Sequence, residues 1–202
     1  HHITQDIIDN PQIKYLDLKL GNICNLKCRI CGTHSSSKWI AEQQHYDRED
    51  NKDHKHIRHN WPETNKTFWQ ELEQLLPTLE YIDFTGGEPF LIKEQFELLK
   101  FCVDKGYAKN IGIHYNTNAT QIPTDALENI WPHFKSVDVQ FSIDGIGSHF
   151  EYQRHPAKWK TATEILQTFK NKQSKQFTVG ICHTINVFNV YYIPEFLKWA
   201  EQ

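Results

Sequence analysis

The sequence predicts an α/β protein built on a parallel sheet, with the architecture of a partial TIM barrel. Strand-like and helix-like segments alternate along the chain, which is typical of βα units joined by right-handed crossovers. Polar residues and glycines cluster after each predicted strand, where α/β proteins place their functional groups. A complete eight-unit barrel takes about 250 residues, whereas this chain has 202. We therefore expect a barrel that is truncated after a fifth βα unit.

The predicted strands combine apolar alternation with short apolar runs. In the first of them Leu16, Leu18 and Leu20 share one face, and Gly21-Asn22 ends the segment. The five predicted strands are 13–20, Tyr81 to Phe84, Ile111 to Tyr115, Ser136 to Phe141 and Phe177 to Ile185.

Helices are predicted between these strands from capping residues and from helical spacing of apolar side chains. Ser35-Ser36-Ser37 would cap a helix through about Gln44, followed by a polar loop from about His45 to Asn60. Thr67-Phe-Trp-Gln70 has the form of a capping box. The remaining helices are predicted up to Pro77, from Phe96 to Gly106, from Pro123, near Lys158 to Lys170, and from Pro194.

Composition and charge narrow the class of protein. Apolar residues make up 39% and charged residues 23%, as in ordinary globular domains. The net charge of −3 and the pI near 6.5 do not indicate the excess of basic residues that is typical of proteins that bind nucleic acid or an anionic membrane. No apolar run approaches the ~18 residues of a membrane span, and no signal peptide is visible, so we expect a cytoplasmic protein. We interpret His1 and His2 as a tag remnant and 3–202 as one domain.

The cysteines point to a metal site rather than to disulfides. Five is an odd number, and Cys24-Asn-Leu-Lys-Cys28-Arg-Ile-Cys31 places three thiols within eight residues, directly after the first strand. Three thiolates could hold a structural zinc if a fourth ligand came from elsewhere. They could also hold an iron–sulfur cluster with one iron left open for chemistry. The residues alone leave both alternatives open.

The spacing Cys-x3-Cys-x2-Cys after the first strand of an α/β barrel resembles the signature of the radical S-adenosylmethionine (SAM) superfamily. Gly86-Gly87-Glu88-Pro89, after strand two, matches the second signature of that superfamily. The resemblance covers nearly the whole chain and implies a partial TIM barrel of the (βα)6 type. It is greatest for members with a C-terminal SPASM or twitch extension, which we expect to be missing from this sequence. In one departure, Ile30 stands where the family usually has an aromatic residue.

The resemblance implies the cofactors. Cys24, Cys28 and Cys31 would bind three irons of a [4Fe-4S] cluster, and the fourth iron would chelate the amino and carboxylate groups of SAM. One electron, from a donor such as flavodoxin or ferredoxin, would then cleave the sulfonium to methionine and a 5′-deoxyadenosyl radical. The cofactor carries this chemistry, while the protein positions it.

The resemblance also implies SAM contacts at the ends of strands two to five. The backbone carbonyls of the Gly86-Gly87-Glu88-Pro89 turn would accept from the SAM ammonium, with Glu88 ordering the turn. Ser142 and Arg154 would meet the SAM carboxylate, for which a guanidinium fork is well shaped. The remaining contacts are Asn118 and Asp144 at the ribose hydroxyls, and Asn186 and Asn189 at the adenosyl group.

The function predicted on this basis is that of a radical SAM enzyme that abstracts hydrogen from a substrate, with a peptide or protein as the leading substrate class. One alternative is a nucleotide or other small metabolite, because Asn186 to Val190 resembles the strand-five segment of viperin-like members. A second alternative, of a different class, is a zinc-stabilised binding module without turnover.

Overall fold

The computed structural model describes residues 12–49 and 58–202. The predicted tag remnant and the middle of the predicted polar loop, residues 50–57, lie outside the described residues. Five strands form one sheet in the order β1-β2-β3-β4-β5, and all four pairings are parallel. The strands are β1 Tyr15–Lys19, β2 Tyr81–Thr85, β3 Gly112–Thr117, β4 Ser136–Ser142 and β5 Phe177–Cys182. The predicted α/β class and five-unit partial barrel are confirmed.

The α-helices follow the strands. They are α1 Ile40–Glu49, α2 Trp61–Thr64, α3 Lys66–Glu73, α4 Lys93–Asp104, α5 Gly147–Gln153, α6 Trp159–Lys170 and α7 Ile193–Ala200. Ser36 caps the 3-10 turn that leads into α1, because its side chain accepts from the backbone N–H of Lys38. Gly106 follows α4 with φ +74°, as its predicted role at the helix end requires.

Four local predictions are corrected by the structure. α1 continues past Gln44 to Glu49. Asn65, not Thr67, caps α3, because its side chain accepts from the N–H of Phe68. The helix predicted from Pro123 is largely a π-helical turn, Ala126–Ile130, and α5 arises in a segment where no helix was predicted. Each of these differences arises from a local side-chain hydrogen bond or from tertiary packing. The spacing of apolar residues in the sequence predicts neither.

The hydrophobic core lies between the sheet and its helices. Phe84, Tyr115, Val139 and Phe141 are buried on the helix-facing side of the sheet, and Phe141 packs edge-on against Phe169 of α6 with ring centroids 5.0 Å apart. The opposite face is polar. One row across the five strands consists of Asp17, Asp83, His114, Asp138 and Thr178 in register.

Candidate functional site

The cysteine loop, residues 22–36, follows β1 and is held by hydrogen bonds to its backbone carbonyls. The Ser36 hydroxyl donates to the Leu26 carbonyl at 2.5 Å, and the indole N–H of Trp39 donates to the Cys28 carbonyl at 3.0 Å. Cys24 and Cys28 are buried, whereas Cys31 is partly exposed. Ser36 and the 3-10 turn Ser37–Trp39 therefore fix the path of the loop, which begins at the carboxyl end of β1.

Two of the three thiols are buried, and a hydrogen bond joins the thiols of Cys28 and Cys31. Burial raises the pKa of Cys24 above its ordinary value, although the N–H of Leu26 lies 3.4 Å from its sulfur. The Cys28 thiol donates to Cys31, which raises the pKa of Cys28 and lowers that of Cys31 to about 7. A thiolate is the form that binds metal. Cys31, the most accessible of the three, is thus the most readily ionised.

The Gly86-Gly87 turn packs directly on the cysteine loop. Gly86 has φ +129°, and a Cβ at Gly87 would lie 2.1 Å from the Ile23 carbonyl oxygen. The N–H of Glu88 donates to that same carbonyl at 2.8 Å. Only glycine permits this approach of two backbones. The two signature segments are therefore joined by main chain, with no side chain between them.

The Glu88 carboxylate orders the turn and connects the ends of β2 and β3. It accepts from the N–H of Phe90 at 3.1 Å, the Thr117 hydroxyl at 2.8 Å and the N–H of Asn118 at 2.7 Å. Complete burial raises the pKa of Glu88 to about 7 despite these donors. These bonds hold the carboxylate against the turn and the segment after β3, and its part in a SAM site stays a prediction.

Asn118 also contacts the cysteine loop. Its side-chain amide donates to the Asn25 amide oxygen at 2.8 Å and lies 3.6 Å from the Cys24 sulfur. Cys24 therefore sits between the ends of β1 and β3. The predicted contact of Asn118 with a ribose stays a prediction.

Arg154 is brought to the cysteine loop by two backbone hydrogen bonds that flank it. The N–H of Lys27 donates to the His155 carbonyl at 2.7 Å, and the N–H of Arg29 donates to the Gln153 carbonyl at 2.8 Å. Between these bonds, Nη1 of Arg154 lies 3.9 Å from the Cys28 sulfur. The segment after β4 thus folds back over the end of the sheet, as the predicted role of Arg154 requires.

Arg154 forms a buried ion pair with Asp144. Nη2 lies 2.6 Å from Oδ2 of Asp144, and the two side chains are 9% and 0% exposed. The contact departs from hydrogen-bond geometry, and among the described residues Nε of Arg154 has no hydrogen-bond partner. The predicted pairing of Arg154 with Ser142 stays a prediction. Ser142 is the last residue of β4, in register with Cys182.

Side-chain amides join the ends of β4 and β5. Asn189 donates to the carbonyls of Asp144 at 3.0 Å and Thr184 at 2.8 Å. Gln153 donates to the Asp144 carbonyl at 2.8 Å and accepts from Asn186 at 3.0 Å. Asn186 and Asn189 thus lie beside the predicted SAM contacts, and their adenosyl role stays a prediction. Sequence reasoning missed Gln153, whose only signal was an amide next to Arg154.

The donor set fits an iron–sulfur cluster with SAM. Three thiols on one loop match the thiolate ligands of such clusters, and the unpartnered Nε of buried Arg154 can take a carboxylate. Within 12–49 and 58–202, no three ligand side chains are assembled for a single metal ion. In a [4Fe-4S] cluster each thiolate binds its own iron, so the cysteines would hold the cluster around its perimeter.

The fold and the site together define an α/β-barrel protein with a three-cysteine loop at the carboxyl ends of its strands. Residues 18–201 match the family model described as the radical SAM superfamily. The chain belongs to this superfamily.

Several known proteins resemble this chain in sequence or in structure. An uncharacterized protein of Methanocaldococcus jannaschii is 26% identical over 190 residues, covering 93% of this chain and 58% of the relative. Native anSMEcpe with bound AdoMet, which is SAM, superposes with a TM-score of 0.62 at 21% identity, over 94% of this chain and 48% of that one. Streptococcus suis SuiB bound to S-adenosylmethionine gives 0.55 at 14% identity, over 94% and 39%. The chain thus spans roughly two fifths to three fifths of these relatives.

No helix in the described part of the chain combines the length and the apolar character that a bilayer span requires.

Proposed function

We propose that this chain is the core of a radical SAM enzyme, formed by 3–202, which cleaves SAM reductively and abstracts hydrogen from a substrate. The observation that carries the proposal is that two distant elements both pack on the cysteine loop. The Gly86-Gly87 turn and Arg154 are far from the loop in sequence, yet the turn packs on Ile23 and the Arg154 guanidinium lies beside Cys28. A structural zinc loop would not need a buried guanidinium with an unpartnered N–H beside its thiolates.

Each element has a task in this proposal. Cys24, Cys28 and Cys31 bind the cluster, and the turn at Gly86, Gly87, Glu88 and Pro89 presents backbone carbonyls to the SAM ammonium. When bound, the cluster supplies the electron that splits the sulfonium of SAM. Arg154 meets the SAM carboxylate, with Ser142 beside it. Asn118, Asn186 and Asn189 border the nucleoside part of SAM from the ends of β3 and β5.

A peptide or protein is the proposed substrate class. SuiB has been solved with the precursor peptide SuiA, and anSMEcpe with the Cp18Cys peptide, and both superpose on this chain with TM-scores above 0.5. The context of the two signature segments also supports membership of the SPASM/twitch subgroup. A flavodoxin or ferredoxin in the cytoplasm would supply the electron, in a compartment that keeps thiols reduced.

Anaerobic reconstitution with iron and sulfide tests the proposal. The wild-type protein is expected to take up about four irons per chain and to convert SAM to methionine and 5′-deoxyadenosine in the presence of a strong reductant. Cys28→Ala should lose both properties while remaining folded. Cys102→Ala, which removes a thiol on the buried face of α4, is the matched control and should keep both. Binding of one zinc without iron uptake would contradict the proposal and favour the non-catalytic module.

A further inference from the structure

Asp144 lies two residues after β4, and its contacts hold the carboxylate in one orientation. It is fully buried, and its Oδ1 accepts from the N–H of Thr184 at 2.9 Å. Its backbone carbonyl accepts from both Gln153 and Asn189. Main chain and side chain are therefore both held by the segments around α5 and after β5.

The other carboxylate oxygen is directed at the guanidinium. Oδ2 lies 2.6 Å from Nη2 of Arg154, while Nη1 of the same guanidinium lies 3.9 Å from the Cys28 sulfur. The guanidinium thus lies between a rigidly held carboxylate and a cluster cysteine. A long, flexible side chain loses entropy when it is held in one geometry, and a fixed counter-charge offsets that loss.

These contacts leave part of the guanidinium unused. Within the described residues Nε has no hydrogen-bond partner, although the Arg154 side chain is only 9% exposed. A buried donor without a partner is costly. The free edge is therefore suited to a second carboxylate, in addition to that of Asp144.

We propose that Asp144 is a positioning residue that holds Arg154 beside Cys28 so that its free edge receives the SAM carboxylate. This inference rests on the proposed function and assigns Asp144 a role different from the ribose contact expected from the sequence. Oδ1 is engaged by Thr184 and Oδ2 by Arg154, in a side chain with no exposed surface. Ribose hydroxyls would have to displace one of these partners to reach it.

The test is a double-mutant cycle on the reconstituted protein, with SAM binding measured by calorimetric titration. Asp144→Asn keeps the shape of the side chain and removes its charge, and should weaken SAM binding about tenfold with iron content unchanged. Arg154→Ala should weaken binding at least as much. If Asp144 acts through Arg154, adding Asp144→Asn to Arg154→Ala should weaken binding no further.

Thermal unfolding of the apo-protein provides a readout that is independent of SAM. Arg154→Ala leaves a buried carboxylate without its partner, so the double variant should unfold at a higher temperature than Arg154→Ala alone. Asp138→Asn is the matched control, because Asp138 also lies on β4 and accepts from His114 and Thr178. It should lower the unfolding temperature and leave SAM affinity unchanged.

Two results would overturn the inference. One is wild-type SAM affinity in Asp144→Asn, and the other is an equal loss of affinity in both backgrounds, which would make Asp144 an independent ligand. If no variant lacking this carboxylate folds, Asp144 is a residue of the fold and the inference also fails. Wild-type protein that takes up iron but binds no SAM would instead overturn the proposed function.

Discussion

The two halves of the candidate site are built from different kinds of contact. In the first half, at the ends of β1 and β2, backbone meets backbone, since Gly87 packs on the Ile23 carbonyl and Glu88 N–H donates to it. In the second half, at the ends of β4 and β5, side chains hold one another, with the pair Asp144 and Arg154 at the centre. The first half therefore depends on the absence of side chains, and the second on their chemistry.

This difference has consequences for tolerance to substitution. Two backbone segments in van der Waals contact leave no space for an added atom. A backbone carbonyl cannot rotate away from it as a side chain can. A network of amides and one ion pair can lose a member and rearrange in part. Substitutions in the first half should thus affect the fold and the cluster, whereas those in the second half should mainly affect SAM binding.

Gly87→Ala should have the largest effect. The new methyl group would lie 2.1 Å from the Ile23 carbonyl oxygen, so the cysteine loop would have to move. We expect a loss of more than about 3 kcal/mol in the free energy of unfolding, measured by chemical denaturation, and poor iron uptake. Gly106→Ala is the control, because it adds the same methyl group at a glycine, here with φ +74°, where that group meets no atom within 4 Å. It should cost about 1 kcal/mol with normal iron uptake; equal effects of the two variants would contradict the backbone-contact account.

Glu88→Gln should change how stability depends on pH. Burial raises the pKa of Glu88 to about 7 in the folded protein, whereas an unfolded glutamate titrates near 4.3. The folded state then binds the proton more tightly, so this group's contribution to stability is fully present below about 4.3 and is lost as pH rises through about 7. The loss should be on the order of 3 kcal/mol.

The measurement is denaturation of the apo-proteins at a series of pH values. The wild-type protein should show this decline, and Glu88→Gln should not, so that the difference between the two curves isolates Glu88 from the titrating thiols. Parallel curves would show that the carboxyl group titrates normally and that its three donors outweigh its burial.

Arg154→Ala should weaken SAM binding by about one to two orders of magnitude, because a charged hydrogen bond contributes roughly 1.5–3 kcal/mol. Iron content should stay at the wild-type level, since Arg154 is not a ligand. Arg29→Ala is the matched control on the cysteine loop: its guanidinium lies over the Tyr152 ring, 4.0 Å from the centroid. Calorimetric titration that found equal losses for both variants would point to general loosening of the loop.

Asn186→Ala should have the smallest effect. The substitution removes the bond to the Gln153 amide oxygen and the cap on the N–H of Phe188, in a side chain that is in part solvent-exposed. The free energy of unfolding should fall by about 1 kcal/mol, with iron content unchanged. A loss as large as that of Gly87→Ala would remove the distinction between the two halves of the site.

Much of the fold and the first half of the site could be predicted from the sequence. The alternation of Leu16, Leu18 and Leu20 and the helical spacing of Phe96, Leu99 and Val103 are local patterns, and the elements formed at those positions. Consecutive glycines after a buried strand also predict a tight turn from the local sequence alone, because few residues other than glycine adopt positive φ. The α3 cap and the π-helical turn could not be predicted, since each depends on competition between nearly equivalent local arrangements.

The sequence by itself determined the parallel α/β order, the three thiols after β1 and the glycine turn after β2, because each of these is specified within a few consecutive residues. Only the tertiary structure decided that Arg154 would face Cys28, that Asp144 would be its partner, and that Gln153 would join Asn186. Those contacts link residues 10 to 126 positions apart. Their geometry depends on how the segment after β4 folds back on the cysteine loop, and polar residues in loops form such long-range pairs without a periodic pattern that would reveal them.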